Sequence, residues 1–375
     1  MASRRCPAGR ELRRTIVKDR RRKDVSMSAA PIIVYVSCAE SKEIHSLRLD
    51  AENGTLDPLE VVAVPGTDKP SPSNMPLALG PGGQTLYAAL RTTPFPVTAF
   101  AIDAASGRLS RRGTAPLPAP MAYISVGGNG RLLMGASYRE GKLSVSRIGS
   151  DGNVQAPPTQ VVTTPPKAHC ILPGRSGEVV YATTLEGNAI LIFRPDVKRG
   201  KLMPADVASV PCRSGSGPRH LALHPSLDVL YCVNEQGGTL AVFAIEPGTG
   251  ALRDLQYETI MPPGFQGNAR AADVHVTANG HFVYASVRST DVIAGFRIDP
   301  RSGKLSPIGF FAAEGSPRGF AVDPLGRFLI CGGQSQNTVA VHAIHPKSGA
   351  LALRHRTSVG TNPNWVETLC LRVAP

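Results

Sequence analysis

The chain has 375 residues, 42% of them hydrophobic, with 38 Gly, 33 Pro and a formal net charge of +13. That apolar content excludes a disordered chain, no apolar run reaches the length of a membrane-crossing helix, and the surplus of Gly and Pro favours many turns between packed strands. The charge does not mark a nucleic-acid binder, because residues 1–26 carry ten Lys/Arg against three Asp/Glu and leave only +6 on the other 349 residues.

Read in chain order, residues 1–28 have the composition of a basic, solvated and disordered extension ahead of a domain spanning 29–375. Arg4-Arg5 and Arg13-Arg14 are followed by no hydrophobic segment of an export signal. Beyond this stretch, a turn of the form small/polar-Gly-x-apolar recurs at Gly54, Gly107, Gly152, Gly200, Gly250, Gly303 and Gly349, in steps of 53, 45, 48, 50, 53 and 46 residues. A second marker runs in register with it, an apolar pair within a short strand: Val34-Tyr35, Leu86-Tyr87, Leu133-Met134, Val180-Tyr181, Leu230-Tyr231, Val283-Tyr284 and Leu329-Ile330. Units of this length, built from short strands and Gly/Pro turns, are propeller blades, each a four-stranded antiparallel sheet that buries its faces only against neighbours. The predicted fold is therefore all-β, a seven-bladed β-propeller. In one repeat, strands are expected at 218–225, 229–234 and 239–245, with a fourth after the Thr249-Gly250 turn. The segment 363–369 matches a first strand, whereas Ile32-Ile33-Val34-Tyr35 matches a second. One C-terminal and three N-terminal strands are thus expected to complete the last blade and remove the open edges.

Propellers hold ligands at a mouth of the central channel, so polar residues on the innermost strands are the candidates. Counting back twelve residues from the second member of each apolar pair gives His169, Arg219, Ala272 and Arg318, and the C-terminal strand supplies Asn364. One position later come Cys170, His220, Asp273, Gly319 and Trp365. A charge on an innermost strand costs free energy unless a partner or ligand satisfies it. Arg219, His220, Asp273, His275 and Arg318 are accordingly candidates, although Asp273 equally suits an ion pair between blades and His275 a core histidine. Glu235 and Arg288 occupy matching places at the ends of the second strands of adjacent blades. His169, Arg219, Glu235 and Arg288 are expected to converge on one mouth, with His220, Asp273, His275 and Arg318 as further substrate-binding residues. His224, His281, His342, His345 and His355 fall near turns or on outer strands and are expected at the surface.

Seven cysteines with no Cys-x-x-Cys pair read as reduced thiols of a cytoplasmic protein. No metal or cofactor is expected: His220 and His224 would stand about 13 Å apart on a strand, and neither a phosphate loop before a helix nor a Gly-x-Ser-x-Gly elbow occurs. A small-molecule partner, no nucleic acid, no membrane and a monomeric chain complete this reading.

The stretches Gly217-Pro218-Arg219-His220-Leu221-Ala222-Leu223-His224-Pro225, Tyr231-Cys232-Val233-Asn234-Glu235, Ala271-Ala272-Asp273-Val274-His275-Val276-Thr277 and Pro317-Arg318-Gly319-Phe320 resemble the seven-bladed propeller 6-phosphogluconolactonases of bacteria, with the carboxymuconate cyclases as a related branch. The resemblance spans residues 30–370 and implies His169, Arg219, Glu235 and Arg288 as catalytic residues; Val287 stands where bacterial members tend to carry an acidic residue or Asn. It implies hydrolysis of 6-phospho-D-glucono-1,5-lactone to 6-phosphogluconate in the oxidative pentose phosphate route, with no metal. Such chemistry needs a base for water, positive charge at the oxyanion and cations for the phosphate. Glu235 or His169 would serve as the base, Arg219 at the oxyanion, and Arg288 with Arg318 at the phosphate. The alternatives are a carboxymuconate cyclase or other carboxylated-lactone or sugar-lactone hydrolase, and a non-catalytic propeller scaffold.

Overall fold

The computed structural model describes residues 30–69 and 74–371; the basic stretch 1–28 lies outside the described residues. Its first three strands, β1 (Ile32–Cys38), β2 (Glu43–Leu49) and β3 (Leu56–Ala63), are one short of a sheet. Six complete four-stranded sheets follow. Blade 1 is β4–β7 (Leu77–Leu79, Thr85–Ala89, Pro96–Ile102, Leu109–Pro116), and blade 2 is β8–β11 (Tyr123–Gly127, Leu132–Ser137, Lys142–Arg147, Gln160–Thr163). Blade 3 is β12–β15 (Ala168–Pro173, Val180–Thr184, Ala189–Asp196, Lys201–Pro211), and blade 4 is β16–β19 (Pro218–Leu223, Val229–Asn234, Thr239–Ile245, Leu252–Thr259). Blade 5 is β20–β23 (Ala271–Val276, Phe282–Val287, Val292–Ile298, Leu305–Ala312), and blade 6 is β24–β27 (Pro317–Val322, Phe328–Gly333, Thr338–Ile344, Leu351–Ser358).

The last strand, β28 (Pro363–Cys370), pairs antiparallel with β1, from Ile32 opposite Cys370 to Val36 opposite Val366, and the sheet β28-β1-β2-β3 is blade 7. Ala39 N–H donates to Asn362 O at 3.0 Å and Leu371 N–H to Pro31 O at 2.9 Å, which fastens both ends of the seam. The predicted closure by one C-terminal and three N-terminal strands is the observed one. The innermost strands β4, β8, β12, β16, β20, β24 and β28 neighbour one another around the axis.

Strand alternation builds the core. Ile32, Val34 and Val36 face one side of β1 and pack with Ile330, Val339 and Val341 of blade 6, while Ile33 and Tyr35 face the other and pack with Leu86 and Ala88 of blade 1. Each of the seven blade interfaces holds one such cluster. Second strands therefore read as continuous apolar runs.

The two periodic sequence markers meet in space. The seven turn glycines join the third and fourth strands of their blades, all with φ between +66° and +80°, a region in which a Cβ is strained. Tyr35, Tyr87, Tyr181, Tyr231 and Tyr284 each donate their hydroxyl to the carbonyl of the glycine one blade onward, at Gly107, Gly152, Gly250, Gly303 and Gly349, over 2.7–3.0 Å. In blade 2, where Met134 replaces the tyrosine, Thr159 supplies the hydroxyl to Gly200 O at 2.6 Å.

Candidate active site

Each innermost strand from blade 3 to blade 6 starts irregularly. Lys167, Gly217, Arg270 and Ser316, the residues just before β12, β16, β20 and β24, have positive φ, and a β-bulge follows at once. Such a bulge re-aims side chains and leaves backbone N–H groups outside the ladder. The residue opposite repairs that loss: Thr183 Oγ1 accepts from Cys170 N–H at 3.0 Å and donates to Arg219 O at 2.7 Å, and Ser286 Oγ accepts from Asp273 N–H at 3.0 Å. His169, Arg219 and Arg318 lie in these bulges.

A cavity of about 260 Å³ opens at this mouth. Its floor carries Ala122, His169 and Arg318 from the innermost strands and their approaches. Its walls carry Arg91, Tyr138, Glu235 and Arg288, with Arg139 beside them. The wall residues share one position, four beyond the second member of the apolar pair in blades 1, 2, 4 and 5. That rule marks Glu235 and Arg288 in the sequence, and extended to the first two blades it would have marked Arg91 and Tyr138 as well.

Glu235 bridges two guanidinium groups, with Oε2 2.8 Å from Arg219 Nε and Oε1 3.0 Å from Arg288 Nη2. The Arg219 contact is an ion pair off the hydrogen-bond axis. Arg219 also donates to Ala272 O, and Arg288 donates to Arg270 O at 3.1 Å and to Ala271 O at 3.3 Å. Arg219 is 1% exposed and stands behind Glu235, outside the cavity lining. Expected at the oxyanion, its guanidinium is directed at Glu235 and the blade 5 backbone. Arg318 faces the cavity, and its guanidinium makes no hydrogen bond or ion pair with another described residue.

These groups set one another's protonation. Burial, then the charges of Arg219, His220, Arg318 and Arg91, hold His169 well below the ordinary histidine range, so its imidazole is neutral. Its Nδ1 is buried without a hydrogen-bond partner among the described residues. Burial works to raise the Glu235 carboxyl, but Arg219, Arg288 and Arg318 outweigh it and pull it down, so Glu235 is ionised. Burial and then Arg219 lower Arg288 to about 10, and burial with Arg219, Arg288 and Arg91 depresses Arg318. The cavity is a field of guanidinium groups around one carboxylate.

The remaining candidates lie deeper. His220, with its neighbour His169, joins Tyr123 and Trp365 in a cluster of edge and tilted ring contacts, ring centroids 5.1–5.6 Å apart, below the cavity. Burial and then Arg219 lower His220 to about 4. Asp273 is a hub between blades: Oδ1 accepts from His220 Nδ1 at 2.7 Å and Val274 N–H at 3.0 Å, while Oδ2 accepts from Phe320 N–H and lies 3.3 Å from His275 Nε2. Burial opposes its ionisation, but His275 and His220 win and hold it far below the usual carboxylate range. His275 belongs to the other end of the channel, where it lines a second cavity of about 260 Å³ with Trp365 and Glu367. Asp273 and His275 thus lie apart from the first mouth for a simple reason: an innermost strand advances about 3.3 Å per residue down the channel, and only its first residues reach that mouth.

The expected surface histidines also divide. His224 is buried, with Nδ1 accepting from Ser226 N–H at 3.1 Å and Leu227 N–H at 2.9 Å and Nε2 donating to Gly280 O of blade 5 at 3.1 Å. His342 is buried too, whereas His281 is exposed. Of the six described cysteines, all free, five are buried. Among the described residues, no helix is long and apolar enough to cross a membrane.

The family described as "Lactonase, 7-bladed beta-propeller" matches residues 33–368. The 6-phosphogluconolactonase of Serratia proteamaculans is 38% identical over 339 residues, which cover 90% of this chain and 98% of that protein. That of Pectobacterium carotovorum is 34% identical over 339 residues, covering 90% and 99%. Among solved structures, the periplasmic gluconolactonase of Pseudomonas aeruginosa superimposes with a TM-score of 0.82 at 28% identity, covering 92% of this chain and all of that one.

Proposed function

The chain belongs to the seven-bladed β-propeller lactonases, and we propose that it hydrolyses 6-phospho-D-glucono-1,5-lactone to 6-phosphogluconate, the reaction that its relatives' names give. The observation that carries this reading is the cavity in which a neutral imidazole, its Nδ1 without a hydrogen-bond partner among the described residues, faces several guanidinium groups. His169 takes the proton of a water that attacks the lactone carbonyl. Arg318, whose guanidinium has no hydrogen bond or ion pair among the described residues, and Arg288 stabilise the oxyanion. Collapse of the tetrahedral intermediate breaks the ring C–O bond, and His169 returns the proton to the departing ring oxygen, which leaves as a hydroxyl. Glu235 is the weaker candidate base, since both its oxygens face guanidinium groups and its ionised form is favoured. Its work is to hold Arg219 and Arg288 in place.

The test follows decay of freshly generated 6-phosphogluconolactone beside carboxymuconolactone, each with and without chelator. Rapid chelator-independent turnover of the phosphorylated lactone is expected, and replacing His169 by Gln should lower kcat by about 10²- to 10⁴-fold. Preference for carboxymuconolactone would move the chain to the cyclase branch, and no turnover of either would leave a binding scaffold. The free cysteines suit a reducing compartment, and we place the chain in the cytoplasm as a monomer.

A further inference from the structure

We propose that Arg91 and Arg139, on the wall made by blades 1 and 2, bind the phosphate of the substrate, so that the lactone ring lies toward His169, Arg288 and Arg318. This rests on the reading of the cavity as a phosphosugar lactonase site.

The cavity is electrically lopsided. On the blade 4 and blade 5 side, ionised Glu235 lies within 3.0 Å of two guanidinium groups and lines the space that a ligand enters. A phosphate dianion there would meet a carboxylate, whereas the neutral hydroxyls of a sugar lactone can donate to one. On the opposite side no carboxylate of the described residues lines the cavity. Glu140, the acid next to Arg139 in the chain, is paired with Lys142 at 2.7 Å, and the Arg139 guanidinium makes no hydrogen bond or ion pair with another described residue. Arg91 is aimed by a buried pillar: its Nη1 donates to Asn74 Oδ1 at 2.6 Å, and Asn74 Nδ2 donates to Ala122 O at 2.8 Å. Arg139 is exposed at the rim and Arg91 is half-buried below it, an arrangement that draws an anion in and then fixes it. Guanidinium groups suit the bidentate contacts that phosphate oxygens make.

The experiment uses the full chain and the variants Arg139→Ala and Arg91→Gln. Steady-state kinetics on 6-phosphogluconolactone and on glucono-1,5-lactone are paired with calorimetric binding of 6-phosphogluconate and gluconate. Each variant should raise KM for the phosphorylated lactone and weaken 6-phosphogluconate binding by about 10- to 100-fold, the range of a lost charge-assisted hydrogen bond. For Arg139→Ala, kinetics on glucono-1,5-lactone and binding of gluconate should change less than about twofold, a difference too small to reflect a lost contact of this kind; for Arg91→Gln the loss should be at least about fivefold smaller without the phosphate than with it. Equal losses with and without the phosphate, or no loss, would overturn the assignment. Arg139→Ala removes an exposed side chain and guards against misfolding as the cause. The calorimetry decides the matter even if the wild-type chain turns over neither lactone, an outcome that would sink the lactonase reading separately.

Discussion

At the residue scale, the site depends on how burial and neighbouring charges divide protons among His169, Glu235 and the arginines. Because His169 is held below its ordinary value of about 6.5, it stays unprotonated through neutral and mildly acidic pH. For a base acting in its neutral form, kcat/KM falls only as pH drops through the folded-state value. The acid limb on glucono-1,5-lactone, which has no phosphate to titrate, should therefore lie below pH 6.5, and it should vanish in His169→Gln while Glu235 is intact. A limb at or above 6.5 would remove His169 as the base. The positions of His169, Arg318, Glu235 and Arg288 were legible from counting within the repeat, because equivalent positions in a propeller reach equivalent heights on the axis. What a side chain does there was less legible. Arg219 turned to the blade 5 backbone, and Asp273 spent its oxygens between blades, since those contacts join residues about one repeat apart, across an interface that a single unit does not reveal.

At the element scale, the unit that repeats is the tyrosine of one blade bonded to the turn glycine of the next. Gly303 has φ +71°, and an added Cβ would stand 2.7 Å from Val229 Cγ2. Gly303→Ala should cost about 2–5 kcal/mol, from backbone strain of about 1–2 and overpacking of about 1–3. Gly248→Ala, with φ +80° and nothing within 4 Å, should cost the strain alone, about 1–2 kcal/mol. Tyr231→Phe leaves the Gly303 carbonyl without its donor and should cost about 1–2 kcal/mol. Urea denaturation of the three variants checks the order, and equal losses for Gly303→Ala and Gly248→Ala would deny the packing share. The fold was readable because this one contact imposes two constraints per repeat, an apolar pair ending in tyrosine and a glycine about 70 residues later. His224 escaped because nothing local to its strand end shows that the Gly280 turn of the next blade covers it.

At the scale of the whole molecule, the ring is held shut by β28, which is the inner neighbour of β1 among the described strands. Deleting residues 363–375 would strip the last blade of its innermost strand, expose the β1 edge and remove the seam bond from Leu371 to Pro31. Thermal melting should show a far larger loss than for a peripheral tail of equal length; a melting point within about 2 °C of the intact chain would mean that the seam contributes little. The same ring is no pipe. Four aromatic rings from blades 2, 3, 4 and 7 pack against one another between the two hollows. Product is accordingly expected to leave the guanidinium-lined chamber by the mouth at which substrate enters. Each newly made acid must back out along the path of the next arrival, and an anion that the doorway attracts on entry it also detains on departure.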